Sequence, residues 1–287
     1  MNDTTFGTQT SVYFRKIFRI AIREKAWKYL IFATIIASIV VFIVGDGMFS
    51  DFGYDSTKSG FFTLASACIW IGIFNSIPSI CKEHEIIRAE YRQGMKMSSY
   101  IAAHVIWQAL LCLAESILVF ILCCIKMNFN KSPSLIISAY SENFVTIYLL
   151  TFGAAVLGLM ISSISGNPTT AMTIMPFVLI VQLILCGALF DLSGVSDFFS
   201  NFTLSKWGMA AFSCESDLNN MELAINGRLM AEGHLNGAPL KIDSQHANWF
   251  YLHEAGRLLL SWLFCILLTA FNAVISVAAL KLKNRDS

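Results

Sequence analysis

Apolar residues in this chain are gathered into long blocks, with polar residues confined to the stretches between them. Uninterrupted apolar stretch marks six candidate spans, at residues 29–48, 61–80, 101–125, 143–164, 170–190 and 258–279. Each is near the ~20 residues that a helix needs to cross a bilayer. The pattern predicts an all-α membrane protein with six transmembrane helices. An even number of crossings leaves both termini on one side, and the basic residues choose that side. Arg15, Lys16, Arg19, Arg23, Lys25 and Lys28 precede the first span, Lys82, Arg88, Arg92 and Lys96 lie between spans two and three, and Lys281, Lys283 and Arg285 follow the last. The short loops of the other side hold only Lys58, Lys126 and Lys131. Both termini are therefore expected in the cytoplasm, in a multi-pass protein of a bacterial plasma membrane.

Three polar or mixed segments depart from simple spans. In 11–28, Tyr13, Phe14, Ile17, Phe18, Ala21 and Ile22 recur at helical spacing while Arg15, Lys16, Arg19 and Arg23 gather opposite. This predicts an amphipathic helix in the membrane surface, either orienting the first span or serving a partner. The start, polar to residue 10 and then basic, lacks the core of a signal peptide, so the first span is expected to be an uncleaved anchor. Between spans two and three, acids and bases interleave over 82–96 with Gly94 placed as a helix stop. A short cytoplasmic helix follows, as a solvated connector or as a docking knob. The external segment 191–256 opens with an apolar run too short to cross, Val195, Phe198, Phe199, Phe202, Leu204, Trp207 and 209–212. Such a run is re-entrant or interfacial. A polar portion, 215–245, follows it, and Trp249, Phe250 and Tyr251 then suit the headgroup layer ahead of the last span. The organisation is thus a tail and amphipathic helix (1–28), five spans with the polar helix at 82–96 (29–190), the external segment (191–256), and the last span with its tail (257–287).

Composition sharpens this. Of 287 residues 56% are apolar and 14% charged, where about a quarter of a soluble protein is charged. A net charge of +1 gives no case for nucleic acid. Seven of the eight cysteines lie in or at the ends of apolar blocks and read as small buried hydrophobes. Cys214 alone falls in the long polar loop, without a loop partner for a disulfide. The adjacent pair Cys123 and Cys124 has no second pair, so no metal site is expected.

Motifs that carry chemistry are few. His84-Glu85 and His253-Glu254 lack the second histidine four residues on that a zinc helix needs; Arg88 and Arg257 stand there instead. No phosphate-binding Gly-x-x-x-x-Gly-Lys-Ser/Thr loop and no nucleophile elbow occur. No catalytic residues are assigned, and any use of ATP must come from a partner. The intramembrane polar residues are Asn75, His104, Gln108, Glu115, Gln182 and Asn272. Glu115 stands out, because a charge at mid-membrane costs about 2.5 to 3.5 kcal/mol. It is expected to face protein or a wet cavity, or to be protonated, as a substrate or proton contact or as a hydrogen bond to a neighbouring helix. Gly153, Ala154, Ala155 and Gly158 read as a close helix-packing face.

The order of parts, with the stretches 81–100 (Lys82-Glu83, Arg88-Ala-Glu-Tyr91, Gly94, Ser98-Ser-Tyr100) and 186–194 followed by Ser205-Lys-Trp-Gly-Met209, resembles the type-2 ABC exporter permeases, in particular the membrane domain of the G subfamily. The resemblance implies that 82–96 is a coupling helix and that the external segment before the last helix is re-entrant. It also implies a second permease chain, identical or related, and two ABC ATP-binding subunits that carry ATP and Mg and dock on Glu83, His84, Glu85, Arg88, Glu90 and Tyr91. This chain itself would then bind no cofactor and be a transport subunit rather than an enzyme. A cavity between the second and fifth spans of two halves would be lined by Trp70, Phe74, Asn75, Thr173, Phe177, Ile180 and Gln182. The implied cargo is hydrophobic or amphipathic: a lipid, a peptide or a drug-like molecule. Two other readings remain open: a membrane sensor or assembly subunit that recruits a cytoplasmic partner without transport, and a membrane hydrolase, for which no catalytic set exists.

Overall fold

A computed structural model describes residues 5–44, 48, 54–127, 134–190, 192–221 and 252–285, and among them the secondary structure is helical, without strands. In chain order the helices are α1 (Phe6–Arg23), α2 (Trp27–Val44), α3 (Tyr54–Cys81), α4 (His84–Arg92), α5 (Met97–Lys126), α6 (Ala139–Ile164), α7 (Pro168–Ile184), α8 (Val195–Ser200), α9 (Leu204–Glu215) and α10 (Ala255–Arg285). α2, α3, α5, α6 and α10 are long and apolar enough to span a membrane, and α7 is a shorter apolar helix. With 17 residues, α7 reaches about 25 Å at ~1.5 Å per residue, a little under the hydrocarbon thickness.

Three boundaries differ from the sequence expectation, each for a local reason. The fifth span does not run to Phe190: α7 closes at Ile184, and Gly187 turns the chain with φ 76°, a left-handed conformation that glycine adopts without penalty. The amphipathic segment 11–28 is not one helix. It breaks after Arg23, where Lys25 takes φ 60°, and α2 has begun by Trp27. The polar helix expected at 82–96 contracts to His84–Arg92, closed at Gly94 (φ 97°), where Gly94 N–H donates to Tyr91 O and Met95 N–H to Glu90 O, both at 3.1 Å. These two bonds satisfy the last carbonyls as a Schellman turn does.

The bundle is organised on α3 and α6, its most extensively packed pair. Their backbones approach because glycines meet there. A Cβ on Gly72 would run into Thr151 O and lie 2.8 Å from Ala155 N, and one on Gly158 would strike Ser76 Oγ. This is the small-residue packing expected of Gly153, Ala154, Ala155 and Gly158, with Gly72 as the partner on α3. Pro78 sits inside α3, and a proline there disrupts the helical bonds around it. In the turn after it, the N–H groups of Ile80 and Cys81 donate to Ser162 Oγ of α6 at 3.1 and 3.0 Å, tying the end of α3 to α6.

The re-entrant expectation takes the form of a helical hairpin, α8–α9. Lys206, 5% exposed, donates to Asp197 Oδ1 (2.6 Å), Ser200 Oγ (2.7 Å) and Asn201 Oδ1 (3.2 Å). Trp207 Nε1 donates to Asn201 O at 2.9 Å, and its ring stacks on Phe264 of α10 at 4.0 Å. The hairpin is fastened to α7 through Ser205, whose N–H donates to Gln182 Oε1 at 3.1 Å and whose hydroxyl donates to Gln182 O. Cys214, expected in a polar loop, is instead buried on α9, because the helix continues three residues past the apolar run that ends at Ala211 and Phe212. Most of the polar portion 215–245 and the aromatic cluster 249–251 lie outside the described residues.

Candidate functional site

α4 carries two adjacent isoleucines among charged residues, and adjacent helical positions point about 100° apart, so both cannot face inward. Ile87 is 1% exposed and packs among Ile80, Met97, Tyr100, Leu159 and Leu280. Ile86 is 49% exposed, beside exposed Glu85, Ala89 and Arg92, which share its side of the helix at one-turn spacing.

The carboxylates on the inner flank are engaged within the chain. Glu90 Oε1 accepts from Lys16 Nζ of α1 at 2.8 Å, and Glu83 Oε2 accepts from Tyr100 of α5 at 3.0 Å and lies 4.0 Å from Lys16 Nζ. Lys96 N–H donates to Gln9 Oε1 at 3.0 Å, and Gln9 Nε2 reaches Gly94 O at 3.4 Å. α1 thus clips both ends of the corner that holds α4. His84 and Tyr91 are half-buried on the same flank. Burial first, and then the positive charge of Lys283, push the His84 pKa below its ordinary value. Of the six residues expected to meet a partner, Glu83, Glu90 and Tyr91 turn toward α1 and α5, His84 and Arg88 are intermediate, and Glu85 lies on the open face. Sequence reasoning missed Ile86 and Lys16. An isoleucine pair in a charged helix signals the first; the polar side of α1 holds the second, one basic residue among four.

The Lys16–Glu90 pair has both side chains under a third exposed, so its contribution is at most about 1 kcal/mol. In a double-mutant cycle of Lys16→Ala and Glu90→Ala, followed by thermal unfolding in detergent, the coupling is expected to fall between ~0.3 and ~1 kcal/mol. A coupling of zero would mean that the pair does not brace α1 against α4.

The residues proposed for a cavity divide into two sets. Trp70, Thr173, Phe177 (67% exposed) and Ile180 are uncovered, and Met172, Val181 and Ile184 extend the same side of α7. Ala171, Met175, Leu179 and Gln182 form the opposite, buried side. Phe74 is half-buried, its ring 5.7 Å from Phe32. Asn75 and Gln182 point into the bundle. Gln182 holds the α8–α9 hairpin as described, and Asn75 Nδ2 donates to Glu115 Oε1 on α5. Glu115 is therefore bonded to a neighbouring helix, one of the two arrangements expected for it, while its Oε2 has no hydrogen-bond partner among the described residues.

This bundle, with an interfacial helix, a short clipped corner helix and a helical hairpin before the last span, is the architecture of a transporter membrane domain. The chain belongs to the ABC-2 type transporter family, whose model matches residues 8–213, from α1 to the end of the re-entrant hairpin. It is also similar to the ABC transporter ATP-binding/permease protein Rv1747 of Mycobacterium tuberculosis (strain ATCC 25618 / H37Rv), 24% identical over 153 residues. That match covers 52% of this chain and 18% of the relative. The chain is a membrane protein with the permease fold of an ABC transporter.

Proposed function

We propose that this chain is the permease subunit of an ATP-driven exporter, moving a hydrophobic or amphipathic cargo out of the cytoplasm or the inner leaflet. ATP hydrolysis takes place on two separate ATP-binding subunits, and a second permease chain completes the route. The observation that carries this reading is α4, a short helix locked to α1 and α5 through Glu83 and Glu90 that leaves an isoleucine-centred face uncovered, in a chain of the ABC-2 family. A rigidly held knob is what the transmission of motion from a partner requires, since a loosely tethered one would absorb it. The uncovered side of α7 with Trp70 supports a route between two permease chains: large side chains there stand exposed among the described residues. Nucleotide on the ATP-binding subunits would then shift the population between an arrangement closed to the cytoplasm and one open to it. Both termini lie in the cytoplasm on this reading, following the basic residues of α1, α4 and the chain end.

The test is co-purification, from lipid, of this chain with a candidate ATP-binding subunit. Ile86→Asp places a charge at the centre of the docking face and is expected to lower recovery of the ATPase at least tenfold, because a buried unpaired charge at an interface costs several kcal/mol. Phe199→Ala, exposed on α8 of the hairpin before the last span, is expected to leave recovery unchanged. Equal recovery with Ile86→Asp would remove α4 as the docking element. Failure of any ATPase to bind the wild-type chain would turn the reading to a sensor or assembly subunit.

A further inference from the structure

A cleft of about 100 Å³ lies inside a single copy of the chain, between α1, the start of α2, α3 and α5. It is separate from the uncovered side of α7. Its exposed lining includes Glu24 and Lys82, which lie 3.9 Å apart. It is lined by the apolar side chains of Ile17, Ile20, Trp107 and Leu111 together with the polar ones of Asn75, Ser79, His104 and Gln108. That space has room for a few water molecules or a small polar headgroup, not for a whole amphiphile.

Two of these polar side chains are incompletely bonded. His104 is 3% exposed and Gln108 1% exposed, yet neither ring nitrogen of His104, nor Oε1 of Gln108, has a hydrogen-bond partner among the described residues. They stand one turn apart on α5, and Tyr100 packs edge-on against the His104 ring at 4.6 Å, which fixes its place without satisfying its nitrogens. Each unmet buried group costs on the order of 1–3 kcal/mol, and buried polar groups are ordinarily satisfied. The deficit is specific. A neutral imidazole presents one donor and one acceptor, and Gln108 Oε1 presents an acceptor. A phosphate only accepts and an ammonium only donates, so neither matches the set alone. A hydroxyl does both: it accepts from the imidazole N–H and donates to Gln108 Oε1 or to the other ring nitrogen.

We propose that this cleft binds the neutral, hydroxyl-bearing headgroup of an amphiphile, with its hydroxyls at His104 and Gln108 and its chain leaving past Ile17 and Trp107. The occupant touches α1, α3 and α5, the helices that hold α4, so the site lies where occupancy braces the corner in each copy. It does not depend on a route between two copies.

The probe is a monoacylglycerol with a photoreactive diazirine in its chain, incorporated in phosphatidylcholine vesicles that contain the full-length chain. Crosslinks are mapped by mass spectrometry and compared with those at Phe42 and Ile43, exposed on α2, as a measure of ordinary lipid contact. Labelling within Ile17–Glu24 and His104–Leu111 is expected to exceed that background, to fall on addition of unlabelled monoacylglycerol, and to fall roughly tenfold in His104→Phe and Gln108→Met, as loss of a buried hydrogen bond predicts. Labelling at background level, or labelling that unlabelled monoacylglycerol does not reduce in the wild-type chain, would overturn the proposal and leave the cleft to water. Competition by free glycerol as effective as by monoacylglycerol would also overturn it, in favour of a soluble polyol. The two competition arms use the wild-type chain and so do not depend on the variants folding.

Discussion

Gly72→Val is expected to prevent accumulation of folded protein in the membrane, and Gly158→Leu to do the same. At both positions even a methyl group meets backbone or a short side chain on the facing helix: Thr151 O and Ala155 N for Gly72, Ser76 Oγ and Ile73 O for Gly158. A backbone carbonyl cannot rotate away as a side-chain tip can, so α3 and α6 must separate. Overpacking of a well-filled core costs typically ~1–3 kcal/mol and occasionally more, and the crossing chosen here is the one on which the bundle is built, so a loss of about 3 kcal/mol or more is expected against a total stability of roughly 5–15 kcal/mol. Gly7→Ala is the control: nothing lies within 4 Å of its added Cβ, and alanine in place of a helical glycine is expected to be neutral or stabilising by ~0.5–1 kcal/mol. Fluorescence-detected gel filtration after a temperature series checks all three. An unchanged melting temperature for Gly72→Val would mean that α3 and α6 do not approach closely.

The second large effect is expected at Lys206. Its ammonium is shared among Asp197, Ser200 and Asn201 at 2.6 to 3.2 Å, which makes it the fastening of the α8–α9 hairpin. In Lys206→Met the stem is replaced by apolar atoms, but Ser200 and Asn201 lose a donor and Asp197 loses its counter-charge. Removing one member of a buried pair costs about 3–5 kcal/mol. Asp197 is about half-exposed and can regain water, so a loss near 3 kcal/mol is expected. In Lys206→Met/Asp197→Asn the unmatched carboxylate is gone, and part of the stability is expected to return. If instead the double variant is as unstable as the single one, the hydroxyl and amide partners carry the hairpin and the ion pair does not.

The spans were legible because crossing a bilayer needs a length of apolar chain, and that requirement writes itself into 29–48, 61–80, 101–125, 143–164 and 258–279 without reference to tertiary contacts. The fifth failed at its end because hydropathy does not register the backbone reversal at Gly187, and the residues beyond it, Leu189 and Phe190, remain apolar. The small-residue face of α6 was readable, since Gly153 to Gly158 has no other use in a membrane helix; that Gly72 answers it from α3 depends on register between two helices, which no local pattern encodes. The same limit explains the site. Glu83 and Glu90 are placed toward a partner by the family resemblance, while the pairing of Glu90 with Lys16, 74 positions away, turns their flank toward α1. Asn75 was placed in a shared cavity by family likeness, and it is its contact with Glu115, 40 positions away, that directs its amide into the bundle.

The central claim is that the uncovered side of α7 lines a route whose exposure to water changes with nucleotide on the partner ATPase. The direct measurement is the rate at which a water-soluble maleimide modifies Phe177→Cys in the reconstituted complex, without nucleotide and with nucleotide trapped by vanadate. Cys124, the exposed one of the eight native thiols, is first replaced by serine. The account expects a rate at position 177 that differs at least fivefold between the two states, with no change at Phe42→Cys on α2. The same slow rate at 177 in both states, indistinguishable from that at 42, would mean that this face meets only lipid and would contradict the permease route.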